Sequence, residues 1–377
     1  MYKICKNCVM DNTDQNIKFD QNGFCDHCQN FFKNIKPILK KNTEKINVEC
    51  KQVVTNIEKS INAEGYNCLI GVSGGVDSSF LLHLAVKKFN LRPLVVHVDT
   101  GWNSQTSVNN IEKLVDKLNL DLHTEVINWR EMKDLQISFF KAGHPNLDIP
   151  QDHAIWAATH KLAVKKKIKY LLTGGNLTTE CVREPLEWSY HASDLKHIRD
   201  VHAKFGAMKL ENFPFCDIFT YRIKYRILNN LNSVQLLNFV SYTKESAIDL
   251  LTSEYGWQNY KHKHYESRFT RFFEGFWLKK KFGFDIRRVH FSSLILSGQM
   301  SREKALSKLT EDNFTEEEII NEINFIKSKL DFTENEFQKY FNNPPKSFRD
   351  YKSNYRVIQF LIIICKLLRL EKRLIRC

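Results

Sequence analysis

Between Tyr66 and Gly174 short apolar runs alternate with stretches of helical periodicity. The runs "NCLIGV" (67–72), "RPLVVHVD" (92–99), "LHTEVIN" (122–128) and "IKYLLTG" (168–174) read as strands, and 78–89, 107–119 and 152–167 as the helices between them. Strands separated by helices cannot pair as hairpins, so the order predicts an α/β fold with a parallel sheet covered on both faces. Such sheets bind ligands beyond the carboxyl ends of their strands. Ser73-Gly74-Gly75, Asp99 and Thr173-Gly174-Gly175-Asn176 all fall there.

The first of these places is the richest in chemistry. In "GVSGGVDSS" (71–79) a strand runs through two glycines into a helix. Gly74 and Gly75 let backbone amides approach a phosphate closely, and the helix N-terminus adds positive partial charge. Ser73, Ser78 and Ser79 add hydroxyl donors. The lysine that closes a Walker-type loop is missing, and Asp77 stands beside the expected polyanion. An acid in that position suits a magnesium ion bridging to the phosphates.

Residues 1–30 are too poor in aliphatic side chains to build a core. They carry Cys5-x2-Cys8 and Cys25-x2-Cys28, a spacing that brings four thiolates to one tetrahedral ion and predicts a structural zinc ribbon. Four cysteine ligands leave no open position, so the metal should supply folding energy and take no part in the reaction. His27, inside the second knuckle, reads as a bystander, and the other six cysteines form no second cluster.

At 377 residues there is room for two or three domains. The N-terminal residues show no signal-peptide pattern, and the longest apolar run, Phe360 to Cys365, is far short of a membrane span, so a cytoplasmic protein is expected. The net charge of +13 invites a nucleic-acid reading. Residues 351–377 alone hold seven Lys/Arg against one acid, and the rest of the chain is only mildly basic, which suits any anionic small substrate. Beyond about residue 220 the β pattern fades and helical periodicity takes over, as in 267–283, 300–309 (Ser301 as N-cap) and 315–330. The basic apolar tail, 355–377, is open to two readings: a helix packed on the protein, or one drawn to anionic lipid.

The loop "SGGVDSS" resembles the signature of the PP-loop ATP pyrophosphatases, the adenine nucleotide alpha hydrolase-like group. That resemblance accounts for the absent lysine. It implies that the β- and γ-phosphates leave as pyrophosphate, that attack falls on the α-phosphorus, and that ATP is the nucleotide, beside the Mg2+ suggested by Asp77 and the Zn2+ suggested by the cysteine spacing. By the same analogy Asp99, Gly174, Gly175 and Asn176 line the adenosine side; for Asp99 a strand-end cap is the equal alternative.

Over nearly its whole length the chain resembles the N-acetyl sugar amidotransferases of bacterial surface-polysaccharide and flagellin-sugar pathways. The lipopolysaccharide O-antigen and the pseudaminic acid branch are among these. The likeness lies in "CKNCVMDNTD", "GFCDHC", "GVSGGVDSS", "HVDTGWNS", "HPNLDIPQDHAIWA", "LLTGGNLTTE" and residues 263–306. It implies a zinc ribbon with linker (1–45), a PP-loop domain (46–245) and a helical C-terminal region (246–377). It also implies adenylation of an N-acetyl oxygen on a sugar or nucleotide sugar, then attack by ammonia to give an acetamidino group. Lys263, Arg268, Arg271 and Arg183 are candidates to balance the departing pyrophosphate, with a solvated surface charge the equal alternative for each, and Asp77, Lys263 and Arg268 are the foremost catalytic candidates. Glu266 and Asp285 are open to two readings, orienting ammonia or the sugar, or, the favoured one, pairing with nearby arginines such as Arg268, Arg287 or Arg288. His264 and His290 lack metal-ligand spacing, and only a substrate contact is suggested for His264. With Tyr2 in second place, no N-terminal cysteine is available as a glutaminase nucleophile, so a separate glutaminase subunit with a cyclase-like companion is expected. A tRNA-thiolating PP-loop enzyme is the alternative, although Cys181 and Cys216 stand singly and no concentrated RNA-binding module is evident.

Overall fold

A computed structural model describes residues 2–39 and 43–367. Its centre is a five-stranded parallel sheet of β1 (Cys68–Gly71), β2 (Pro93–Asp99), β3 (Leu122–Val126), β4 (Tyr170–Leu172) and β5 (Asn232–Val234), in the order β3-β2-β1-β4-β5. Cys68 pairs with Pro93 on one side of β1, and Leu69 with Leu171 on the other. The chain runs outward from β1 to β3 and then returns to β4. This reversal beside β1 opens a crevice at the strand ends where the glycine loop emerges.

Alternate strand residues serve two cores. Leu69, Leu94, Val96 and Leu171 face helices Trp129–Ala142 and Ile149–Lys165 and the C-terminal helices. Cys68, Ile70, Val95 and Leu172 face helices Val76–His83, Gln105–Leu118 and Lys244–Tyr255.

The four strands read from sequence are all present. The structure adds a helix, Trp129–Ala142, capped by the Asn128 side chain and ended by Gly143 in the left-handed conformation; it buries Met132, Leu135, Phe139 and Phe140. It also adds β5, beyond the point where the β pattern was expected to fade. β5 has only the residues Asn-Ser-Val, and its pairing with β4 holds it in place. Helices Arg302–Thr310, with Ser301 accepting from the Lys304 amide, and Glu316–Leu330, with a Thr315/Glu318 capping box, follow the sequence reading.

The expected divisions after residues 45 and 245 fall within the helices Thr43–Glu58 and Lys244–Tyr255. The second helix belongs to the sheet layer: Tyr255 Oη lies 2.7 Å from His83 Nδ1, and Leu251 shares a core with Leu81 and Leu82.

The N-terminal ribbon docks on the C-terminal helices. Arg302 donates to the carbonyls of Cys5 (2.8 Å) and Cys8 (3.0 Å), and Arg288 to that of Val9 (2.9 Å) and to Asp11 (2.9 Å). In the tail helix, Tyr355–Leu367, Ile358 is buried and the Tyr355 ring stands 5.3 Å from Phe348, while Val357, Phe360 and Ile363 are exposed. The rest of the tail, 368–377, lies outside the described residues. Among the described residues no helix is long and apolar enough to cross a membrane.

Since Arg302 ties the ribbon to the body by two charge-assisted bonds, Arg302→Ala is expected to lower unfolding stability by about 1.5–3 kcal/mol. Urea titration should show a lower midpoint at unchanged slope.

Candidate functional site

The glycine loop is held by residues far along the chain. The Gly74 carbonyl accepts from Trp257 Nε1 (3.1 Å), Tyr260 Oη (3.2 Å) and Asn110 Nδ2 (3.4 Å). Because a trans peptide points its N–H opposite its C=O, this clamp turns the Gly75 amide the other way, toward the Ser73 hydroxyl at 3.3 Å. Gly74 itself sits at φ +80°, and a Cβ there would come within 2.6 Å of the Ser107 carbonyl. Gly174 plays the corresponding part at the end of β4, where a Cβ would stand 2.9 Å from the Ser78 amide.

Ser73 and Ser78 close the loop on itself, with the Ser78 hydroxyl donating to the Gly75 carbonyl at 3.2 Å. Ser79 differs: its hydroxyl is buried and has no partner among the described residues. Asp77, in the first turn after the loop, takes hydrogen bonds from Tyr242 Oη and from Asn176 Nδ2 (3.3 Å), and its other oxygen lies 3.9 Å from Lys263 Nζ. Desolvation pushes its carboxyl above the ordinary range against the pull of Lys263. Although burial opposes its charge, Lys263 is held protonated by Glu180, at 2.5 Å, and by Asp77. Lys244 adds a second cation near Asp77.

Glu266 is also here. Its side chain accepts from Ser73 Oγ at 3.1 Å. The expected pairing of Glu266 with an arginine is corrected by this contact. The segment reaches the loop because Ser104 N donates to Glu266 O and Arg268 N to Trp102 O, stitching 266–268 to the turn after β2.

Arg268 and Arg271 go elsewhere. Arg268 grips Glu322 through Nε (3.1 Å) and Nη2 (3.2 Å) and lies 3.4 Å over the Phe325 ring; Arg271 stands between Glu318, Glu322 and the Tyr265 and Phe314 rings. A bidentate partner on a C-terminal helix occupies the guanidinium expected at the phosphates. Arg183 is exposed, in the electrostatic field of His191. Asp285 pairs with Arg287 at 2.7 Å, as the sequence suggests. Asp99 caps its strand, accepting from the Gly101 amide (2.8 Å) and Asn103 Nδ2 (3.0 Å). Asn176 organises the turn after β4 by accepting from the amide and hydroxyl of both Thr178 and Thr179.

Behind the loop lies a group of acids that sequence reasoning missed as a set. Asp148 is buried, accepts from Gln151 Nε2 at 3.0 Å, and is pushed up to about 7 by burial, with Glu184 adding to the shift. Glu274, also buried, is pushed well above the carboxylate range by burial and by Glu184 and Asp148. These residues come from three separate stretches of chain, and no local pattern links them.

Cys5, Cys8, Cys25 and Cys28 are brought together and buried. Their sulfurs stand 3.5 Å (Cys8–Cys25), 3.6 Å (Cys25–Cys28) and 3.7 Å (Cys5–Cys28) apart. Thiolates about 2.3 Å from one tetrahedral ion would lie about 3.8 Å apart, so the donor set fits a single metal ion and leaves no space for a cluster. Backbone amides of Asn7, Cys8 and Cys25 point at Cys5 Sγ at 3.3–3.5 Å, the support a thiolate needs. His27 is turned to Asp14 at 2.9 Å.

A parallel sheet with this loop, a four-cysteine cluster and a helical C-terminal region has the layout of a PP-loop fold. Two family models match it. Residues 67–159 match the phosphoadenosine phosphosulfate reductase domain. Residues 266–363 match the family described as "LPS biosynthesis protein WbpG-like, C-terminal domain", so the chain carries a WbpG-like C-terminal domain behind its PP-loop domain. The first match falls on the sheet that carries the glycine loop, and the second on the C-terminal helices.

An uncharacterized protein of Methanocaldococcus jannaschii is 28% identical over 182 residues, 46% of this chain and 59% of that one. Sulfate adenylyltransferase subunit 2 of Pseudomonas fluorescens is 40% identical over 74 residues, 19% of this chain and 24% of that one. The chain thus spans less than two thirds of the length of either relative. Among solved structures, the NH3-dependent NAD synthetase of Campylobacter jejuni is 16% identical with a TM-score of 0.29, covering 56% of this chain and 84% of that one. The U34-tRNA thiolase of Methanococcus maripaludis, which holds a [4Fe-4S] cluster, is 12% identical with a TM-score of 0.26, covering 68% and 73%. Likeness at that level says nothing of the reaction.

Two outcomes test this geometry. Gly74→Ala forces a side chain into the left-handed region and onto the Ser107 carbonyl, so it should weaken ATP binding at least tenfold by calorimetry. Asp148 has a folded-state pKa raised above its unfolded value of about 3.9, so the stability it contributes is present below about pH 4 and is lost as pH rises through about 7. Asp148→Asn should therefore melt higher than the parent at pH 8, with the advantage gone near pH 4.

Proposed function

We propose that this chain is an ATP-dependent amidotransferase that converts the N-acetyl group of a sugar, free or nucleotide-linked, to an acetamidino group in surface-glycan biosynthesis. The observation that carries the reading is the clamped glycine loop with Lys263 and Lys244 beside Asp77. These are donors for a leaving pyrophosphate without the lysine that γ-phosphate transfer uses. The WbpG-like match supports it, since that stretch begins at Glu266, against the loop itself.

In this reading the amide oxygen of the acceptor attacks the α-phosphorus of ATP. An O–P bond forms, the bond to the β-phosphate oxygen breaks, and pyrophosphate leaves. Amide oxygen is a poor leaving group, and AMP is a good one. Ammonia then adds to the activated carbon, the C–O bond breaks, and AMP departs with the amidine formed. The Gly75 amide, the start of helix Val76–His83, Lys263 and Lys244 offset charge on the departing pyrophosphate. Asp77 would hold Mg2+, which when bound would offset charge on the phosphates. The acids Asp148 and Glu184 hold the incoming nitrogen as ammonium and accept its proton. Ammonia comes from a separate glutaminase subunit with its cyclase-like companion. The four-cysteine ribbon holds Zn2+ and serves the fold.

The thiolase alternative needs a reactive thiol near the nucleotide. Burial pushes Cys181 up to about 11 and Cys216 up to about 12, and both are engaged with backbone carbonyls. That counts against sulfur transfer through either.

Incubation with ATP, Mg2+, ammonium and diacetamido sugars is expected to yield AMP, pyrophosphate and a product about one mass unit lighter. Formation of ADP and orthophosphate with the true acceptor would refute the proposal. Lys263→Met should lower kcat/KM by about 100-fold or more, with Lys263→Arg recovering part of it, measured as pyrophosphate release.

A further inference from the structure

The side chains of His264, Glu274 and His290 converge, each offering a ligand atom within 4.8 Å of the others. They come from three elements: the turn before helix Arg268–Phe272, the π-helical turn Phe273–Trp277, and helix Arg287–Leu296. The His264 and His290 rings stand 5.5 Å apart, centroid to centroid. His264 is held at φ +64°, a backbone conformation that side chains other than glycine's rarely adopt, so its placement here is not a default. Single π-turns inside helices recur at functional sites, and Glu274 lies in one.

None of the three side chains has a hydrogen-bond partner or an ion pair among the described residues. Glu274 is buried and the two histidines are half-buried, so the three ligand atoms face one another at a place a small ion can still reach. We propose that His264, Glu274 and His290 bind a divalent transition-metal ion, distinct from the ribbon's ion and from the magnesium assigned to Asp77. Two imidazoles and one carboxylate, without sulfur, suit Zn2+, Mn2+ or Fe2+ in an open site. Three protein ligands leave a position for water or for a substrate oxygen. The charges nearby are mixed: Lys263 and Lys244 act on both histidines, and Lys263 also acts on Glu274, where Glu184, Asp148 and Glu266 oppose it. The acids offset the lysines, so a cation is tolerated. The site does not depend on the amidotransferase reading.

Sequence spacing gave no hint of it, since His264 and His290 are far apart in the chain and reach one another only through packing.

The test uses the full-length protein equilibrated with Zn2+ and freed of excess metal, with zinc per chain measured by emission spectroscopy. The parent is expected to hold two equivalents, and His290→Ala and His264→Asn one each. The ribbon rests on Arg288 and Ser292, beside His290, so a retained ribbon equivalent shows that a variant is folded. Titration of the metal-free parent with Co2+ gives a second readout: one equivalent should bring thiolate-to-metal absorption, and the other only weaker bands of nitrogen and oxygen ligands. Saturation of the parent at one equivalent, a second equivalent that adds thiolate absorption, or two equivalents in both variants would each overturn the proposal.

Discussion

The Gly74 carbonyl, gripped by Trp257, Tyr260 and Asn110, is the contact on which the site depends. One peptide group is fixed by three donors, and its amide side is thereby turned to the crevice. Two of those donors come from the segment after helix Lys244–Tyr255, and the same segment continues to Lys263 and Glu266. The glycine loop and the charged residues beside it are thus one mechanical unit, although 183 residues separate Gly74 from Trp257.

The electrostatics follow from that arrangement. Lys263 stands between Asp77 and Glu180, and the acids behind it, Asp148 and Glu274, are held toward their protonated forms by burial. Burial without a partner would cost each ionised carboxylate several kcal/mol, on the order expected for a charge in a poorly solvated site. The ribbon solves a different problem. It has almost no core, and its four thiols and the bonds to Arg288 and Arg302 hold it against the C-terminal helices.

Much of the sheet was legible because the physical signal was local. Apolar runs such as Cys68–Gly71 and Pro93–Asp99 must be buried on both faces, and a helix between them forces parallel pairing. The four cysteines were legible for the same reason: a two-residue spacing makes a knuckle whatever surrounds it. β5 was not, since three polar or small residues carry no β pattern and are set by their neighbour. Arg268 misled because a basic residue near the loop in sequence is free to turn away, and Glu322 offered it a bidentate partner. Glu266 misled in the opposite sense, since its neighbour in space is Ser73.

The sequence by itself determined the strand-to-helix glycine loop, the parallel order of the sheet and the four-thiol ribbon, because each rests on side chains a few residues apart. Only the tertiary structure decided which cations stand at the loop, which acids lie behind it and that His264, Glu274 and His290 meet. Those groupings join residues scattered along the chain, and long-range packing alone brings them within reach.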